Sequence, residues 1–245
     1  MSGLPRRLRS ALLLRSFAVQ GSWNYQTLIG TGFAFVLLPV LRRLYGADRA
    51  GLEAAVARHA ELFNSHPYLV TVVAGAVARL EEDGTPPEMI RRFKNALRGS
   101  LGSVGDRLVW QAWRPACAVL AIVLLLAGVP WWASVAAFLL TYNALHLWLR
   151  VWGLRVGLRE GLGVGKALRE APFERLGERA SDAGALLAGA ASVLAIGYAF
   201  QAPGEYLLGA AAVAAGLWLG LRIRWAVWAV LVVVWAVDTI IVATT

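Results

Sequence analysis

A single cysteine, Cys117, stands in the 245 residues. One thiol excludes an intrachain disulfide and any multi-cysteine metal site, and its place inside an apolar run reads as a small core hydrophobe. Charge is scarce as well: 16% of residues are charged, against 58% hydrophobic, with a mean hydropathy of +0.59. Catalytic signatures are missing. Gly161-Leu-Gly-Val-Gly-Lys166-Ala167 looks like a phosphate loop, but Glu160 stands where its first glycine belongs and Ala167 where Ser or Thr must follow the lysine. Gly99, Gly102 and Gly105 recur every three residues and do not form the dinucleotide-binding pattern. There is no His-Glu-x-x-His, no Gly-x-Ser-x-Gly and no ligand cluster, so nothing points to chemistry, a metal or a cofactor held by this chain alone.

What is present are long runs without charge: 115–149, 183–204, 206–221 and 225–237. A helix crosses a hydrocarbon core with roughly 20 mostly apolar residues, or fewer where flanking side chains reach the interface. The reading is therefore an all-α, polytopic membrane protein. The net charge of +9 is carried almost wholly by arginines beside the apolar runs, as the positive-inside rule requires. No recognition motif accompanies it, which argues against nucleic acid as the partner. The basic start, Arg6 to Arg15, is too short and interrupted for a signal peptide and reads as an amphipathic helix on the inner membrane face.

Two regions differ in character, 1–107 and 108–245. In the first, Gly51–Phe63 reads as an amphipathic helix that Pro67 ends or bends. Tyr68–Ala78 is apolar but too short to span, hence re-entrant or buried. Thr85-Pro86-Pro87-Glu88 supplies a cap for a basic helix to about Arg98, and Gly99–Asp106 reads as a glycine-rich joint. In the second, spans are expected at Leu108–Val129, Ala133–Leu149, Ala183–Phe200, Tyr206–Leu221 and Trp225–Ile241. Residues 150–180 form a basic cytoplasmic connection. Cations fall on alternate sides, giving about five full crossings with the N-terminus inside and the C-terminus outside.

Polar residues in unexpected places supply the candidate site. Gln20–Tyr45 has no charge between Arg15 and Arg42, yet it is rich in Gly, Ser, Thr, Asn and Gln. Lipid does not hydrate amides, so such a segment belongs against protein or a wet cavity, and it points to a polar solute. His59 and His146 read as structural. His66, in Phe63-Asn64-Ser65-His66-Pro67, fits either a capped helix end or a site whose carbonyls, amide and imidazole bond a hydroxylated ligand. Asp106 is the only acid between Glu88 and Glu160; it reads as an ion pair with Arg107 or Arg114, or as a ligand or gating group.

The ordered blocks Gln20-Gly-Ser-Trp-Asn24-Tyr, Gly32-Phe-Ala-Phe, Leu38-Pro-Val-Leu-Arg-Arg-Leu-Tyr45, Arg58-His-Ala-Glu-Leu-Phe-Asn64-Ser-His-Pro67, Leu80-Glu-Glu, Gly102-Ser-Val-Gly-Asp106, Trp113-Arg-Pro115, Tyr142-Asn143 and Trp152-Gly153 resemble the IID subunit of the mannose/fructose/sorbose family of bacterial sugar phosphotransferase systems. The resemblance covers roughly residues 10–170. It implies a bacterial inner-membrane protein that pairs with a IIC membrane subunit, as a trimer of IIC–IID pairs working by an elevator motion. Together they would translocate a hexose or related sugar that soluble IIA and IIB proteins phosphorylate, with no phosphorylated residue on IID itself. Gln20, Asn24, Asn64 and His66 then become candidate contacts for sugar hydroxyls. Asp106 becomes a hydroxyl acceptor or an anchor of the moving element. The chain departs from the family pattern at Gln26, where Glu is common, at Ile29, often Gln, and at Arg107, usually Pro or Ser. Those departures keep a second reading in view, a non-transporting sensory or regulatory remnant.

Overall fold

The computed structural model describes residues 3–199, together with positions 211, 214, 215 and 218. The expected span Trp225–Ile241, the last residue of Ala183–Phe200, and all of Tyr206–Leu221 but those four positions lie outside the described residues. Among the described residues every regular element is helical: α1 (Arg6–Ser16), α2 (Gly30–Tyr45), α3 (Arg49–Ala60), α4 (Val70–Glu82), α5 (Pro87–Gly105), a π-helical stretch (Asp106–Trp113), α6 (Arg114–Leu126), α7 (Trp131–Glu160), α8 (Val164–Glu170) and α9 (Phe173–Ala199). Among the described residues two helical stretches, Pro87–Leu126 and Trp131–Ala195, are long and apolar enough to cross a bilayer. The chain divides into two compact units, one of Met1–Arg114 with Leu139–Ala180, the other of Pro115–Phe138 with the chain from Ser181 onward.

The first unit is built around α4. From Val70 to Ala78 its residues are buried, save none, on every face, as expected for an apolar helix enclosed by protein. Helix α7 reaches it through glycines. A Cβ on Gly157 would lie 2.2 Å from the Val72 carbonyl oxygen, one on Gly153 2.6 Å from Thr71 Oγ1, and one on Gly75 2.7 Å from the Leu154 carbonyl. Only hydrogen fits at those contacts. This explains the glycine of Trp152-Gly153, and the connection expected at 150–180 begins as helix. Helix α7 runs on to Glu160 because Leu154, Val156 and Leu158 enter the core.

Helix α2 carries Pro39 in its interior, which removes the N–H that would serve the Phe35 carbonyl one turn back. The Arg15 guanidinium from α1 donates to that carbonyl at 3.0 Å and lies 4.4 Å over the Phe35 ring. Helix α1 also buries Leu12 against the core, and Ser16 receives the Arg150 guanidinium at 2.8 Å through both its carbonyl and its hydroxyl. One face of it packs on protein in this way.

Three boundaries differ from the sequence reading. Helix α3 stops at Ala60 rather than Phe63, because residue 61 turns extended and Phe63 joins the loop around Leu28. The Ile29 N–H donates to the Phe63 carbonyl at 3.0 Å, and the Phe63 N–H to the Thr27 carbonyl at 3.2 Å. Helix α5 begins at Pro87 with Pro86 before it and no side-chain cap, so Thr85 does not cap it. The expected joint at Gly99–Asp106 is helical to Gly105 and passes directly into the π stretch.

In the second unit, Gly128, with φ of +85°, closes the turn after α6, and Trp131 and Trp132 at the start of α7 are exposed. That suits the expected interfacial turn with aromatic anchors. The span expected at Leu108–Val129 corresponds to the π stretch and α6, and Ala133–Leu149 lies within α7.

Candidate functional site

A cavity of about 170 Å³ in the first unit is lined by Gln20, Trp23, Ile29, Asn64, Ser65, His66, Pro67, Gly102, Asp106 and Trp110. Three stretches of chain meet there: the loop between α1 and α2, the link between α3 and α4, and the helix that runs through Gly102. Gly102, Asp106 and Trp110 fall four residues apart, so one helical face supplies them. The π geometry begins at Asp106; such widened turns recur at functional sites.

Its rear wall is dry and its rim is wet. Ile29, Ser65 and His66 are buried, whereas Gln20, Trp23, Asn64 and Asp106 are exposed. His66 is pressed against the helix: a Cβ on Gly105 would sit 2.2 Å from the imidazole Cγ, so the glycine of Gly-Asp makes room for that ring. The Tyr68 N–H donates to His66 Nδ1 at 3.2 Å, which places the proton of the neutral ring on Nε2. That Nε2 is buried and has no hydrogen-bond partner among the described residues. Burial holds the imidazole down at about 4, with Arg150 and His146 adding to the shift, so the ring is a neutral donor near pH 7.

Aromatic rings back this wall. His66 meets Tyr68 edge-on at 4.9 Å and Trp110 at 5.0 Å, and Tyr68 stacks on His146 at 3.9 Å. The Tyr68 and Tyr142 hydroxyls are hydrogen-bonded to each other. Arg150 donates from Nε to His146 Nε2 at 2.7 Å.

Of the five sequence candidates, Gln20, Asn64, His66 and Asp106 line the cavity and Asn24 does not. Asn24 is consumed locally. Its Oδ1 accepts from the backbone N–H groups of Gln26 at 3.0 Å and Thr27 at 2.8 Å. Its Nδ2 donates to the Ser22 carbonyl at 3.2 Å and the Thr27 hydroxyl at 2.8 Å. It shapes the tight loop in which Leu28 takes a φ of +54°. Asp106 makes no ion pair among the described residues, and Arg114 lies 5.0 Å over the Trp110 ring. The helix-end reading of His66 is corrected too: residues 61–67 form an extended link, not the end of α3.

Sequence reasoning missed Trp23, Ser65 and Trp110. Trp23 stands between Gln20 and Asn24 in the uncharged run, and Trp110 lies one turn beyond Asp106. Tracking the helix face through the glycines would have found the second.

A second polar cluster in the same unit also escaped notice. Glu81 Oε1 accepts from Arg58 and from His59 Nε2, each at 2.7 Å, and Oε2 accepts from the Tyr45 hydroxyl at 2.6 Å. Lys94 donates to the Arg58 carbonyl at 2.8 Å. Burial pushes the Glu81 carboxyl up, but the hydrogen bonds from His59, Tyr45 and Arg58 outweigh it and leave it at about 2. Burial also keeps His59 neutral by lowering its pKa. Tyr45, Arg58-His59 and Leu80-Glu81 thus tie α2, α3 and α4 together, and α5 joins through Lys94.

Comparison with known proteins agrees with this arrangement of motifs. Residues 4–203 match the family described as the PTS system mannose/fructose/sorbose family IID component. The chain is 31% identical over 191 residues to the mannose-specific EIID component of Escherichia coli K12, covering 73% of this chain and 64% of that protein. It is 31% identical to the fructose permease IID component of Bacillus subtilis, covering 74% of this chain and 66% of that protein. It is 32% identical to the sorbose-specific EIID component of Klebsiella pneumoniae, covering 73% and 66%. The chain therefore spans just under two thirds of the length of these relatives. A cryo-EM structure of the mannose transporter ManYZ with microcin E492 superposes with a TM-score of 0.62 at 29% identity, covering 78% of this chain and 70% of that one. The family match and the arrangement of its motif residues lead to one conclusion: this chain belongs to the IID components of the mannose/fructose/sorbose family of the phosphotransferase system.

Proposed function

We propose that this chain is the IID membrane subunit of a mannose-family permease, translocating a hexose or related sugar together with a IIC subunit while IIA and IIB proteins phosphorylate it. The observation that carries the reading is the buried, unpartnered Nε2–H of His66 in a cavity rimmed by Gln20, Asn64 and Asp106. A dry donor without a partner costs about 1–3 kcal/mol, which a hydroxyl oxygen would recover. Asp106 accepts from a hydroxyl, the Gln20 and Asn64 amides do either, and Trp23 and Trp110 offer apolar faces. The wet rim supports a site completed by the IIC subunit, in a trimer of IIC–IID pairs. About five crossings of a bacterial cytoplasmic membrane, N-terminus inside and C-terminus outside, complete the reading, and IID performs no catalysis itself.

The test is uptake of labelled hexoses in cells co-expressing this chain with its neighbouring IIC-like subunit. His66→Ala and Asn64→Ala are expected to lower uptake tenfold or more while the complex still assembles. Unchanged uptake in both variants overturns the cavity as the sugar site.

One observation favours a second reading. Ile29 places an apolar side chain in the cavity wall, where a hydrogen-bonding residue would be expected of a transporter. A sensory or regulatory remnant would leave uptake unchanged on gene deletion and alter phosphorylation of the soluble partners instead.

A further inference from the structure

Elsewhere in the first unit, a groove of about 470 Å³ is lined by Trp113, Leu145, Trp148, Leu176, Arg175 and Arg179, among others. That volume falls within the range of about 300–1,000 Å³ usual for small-molecule sites. Its walls divide by chemistry. Trp113 donates its indole N–H to the Thr141 carbonyl at 3.1 Å, so its ring is left as an apolar wall. Trp148 stacks on Trp152 at 5.9 Å, and Trp152 meets Phe173 edge-on at 5.0 Å, so further rings pack behind the Trp148 wall. Opposite them, Arg175 and Arg179 stand one turn apart on α9 and share a face. Both are exposed, and neither makes an ion pair among the described residues, although Glu174 and Glu178 neighbour them in sequence.

The level of the groove on the helices is informative. Leu145 and Trp148 end the apolar part of α7, just before Arg150, and Arg175 and Arg179 precede the apolar part of α9. Tryptophan beside arginine at such a transition marks the water–lipid boundary. Two unpaired guanidiniums with an apolar slot beside them match an anionic headgroup attached to a hydrocarbon tail.

We propose that this groove binds one anionic glycerophospholipid, its phosphate bridged by Arg175 and Arg179 and an acyl chain lying along Trp113, Leu145, Trp148 and Leu176. The site is distinct from the sugar cavity, and it depends on membrane placement and not on sugar transport. Retention of an anionic lipid there would pin the end of the apolar part of α7 and the start of α9 to the inner leaflet.

The full chain, delipidated in detergent, is titrated with phosphatidylglycerol or with phosphatidylcholine of identical acyl chains, and bound lipids are counted by native mass spectrometry. Phosphatidylglycerol is expected to bind at least tenfold more tightly. Arg175→Gln with Arg179→Gln should erase that preference, and Trp148→Ala should weaken both lipids by a similar factor. A photoactivatable phosphatidylglycerol on the unmodified chain should label peptides containing Leu145–Trp148 or Leu176. Equal affinity for the two lipids, a preference that survives loss of both arginines, or labelling elsewhere would overturn the proposal. Inorganic phosphate at millimolar concentration should not displace the lipid; if it does, the site is a simple anion site and the proposal fails.

Discussion

Two polar clusters sit within the same compact unit and obey opposite rules. Around Glu81 both carboxylate oxygens are satisfied, and the partners come from the protein. Around His66 the ring nitrogen facing away from Tyr68 has no protein partner, and the neighbouring Gln20, Asn64 and Asp106 are exposed. Arg58 Nε and His59 Nδ1 in the first cluster are also buried without a partner among the described residues, but that cluster lies between packed helices, whereas the second adjoins a cavity. Family motifs run through both, so a conspicuous motif does not by itself separate a clamp from a site. The difference lies in what stands beside the polar groups: packed helices in one case, a cavity in the other.

The largest expected effect breaks the Glu81 cluster. Glu81→Ala strands the Arg58 guanidinium in the core and should cost about 3–5 kcal/mol; a large drop in thermal midpoint of the purified chain in detergent would register it. Little change there would mean that the cluster is wetter than its burial implies.

Next in size is Gly105→Ala, which drives a methyl into the His66 ring. Uptake or sugar binding should fall at least tenfold, with a smaller loss of stability, because the imidazole must leave the cavity wall. A double variant with His66→Ala should then show no further loss of binding, since the ring is already displaced.

Asn24 and Asn64 sharpen the contrast at smaller scale. Asn24→Ala removes four local hydrogen bonds and should destabilise by about 1–3 kcal/mol. Asn64→Ala should leave the thermal midpoint nearly unchanged while weakening sugar binding about tenfold, measurable by calorimetry.

The smallest effect is the pH response. A base whose folded pKa is about 4, against an ordinary 6.5, makes the folded state bind fewer protons than the unfolded state between those values. Stability is thus full above pH 6.5 and falls as pH drops towards 4. Glu81, an acid lowered to about 2 from 4.5, adds a second loss between pH 4.5 and 2. Sugar binding through a neutral His66 should stay level from pH 8 to about 5; a midpoint near 6.5 would place the ring in water.

Much of this was legible in the chain of letters. The helical class, the two bilayer-compatible stretches and four of the cavity residues follow from uncharged runs and misplaced amides. Asn24 was not separable from Asn64, because an amide that folds its own loop and one that faces a ligand look alike until the backbone is traced. The Glu81 cluster was hidden for a related reason: Tyr45, Arg58, His59 and Glu81 stand in separate stretches of the chain, and only packing brings them together. Glycine misled most. Gly102 and Gly105 suggested a hinge, whereas tight approach of His66 is what Gly105 serves.

The π stretch has a final implication for how this gene tolerates length changes. A π turn advances less per residue than the roughly 100° of an α-helix, so a change in length between Asp106 and Trp113 that tightened the coil would alter the rotation of the residues that follow. Trp113 would swing off its groove while Gly102 stayed in place beside the cavity. Two faces, one lining each cavity, are thus set in rotational step by one wide coil, and codon deletions there should be purged where substitutions survive.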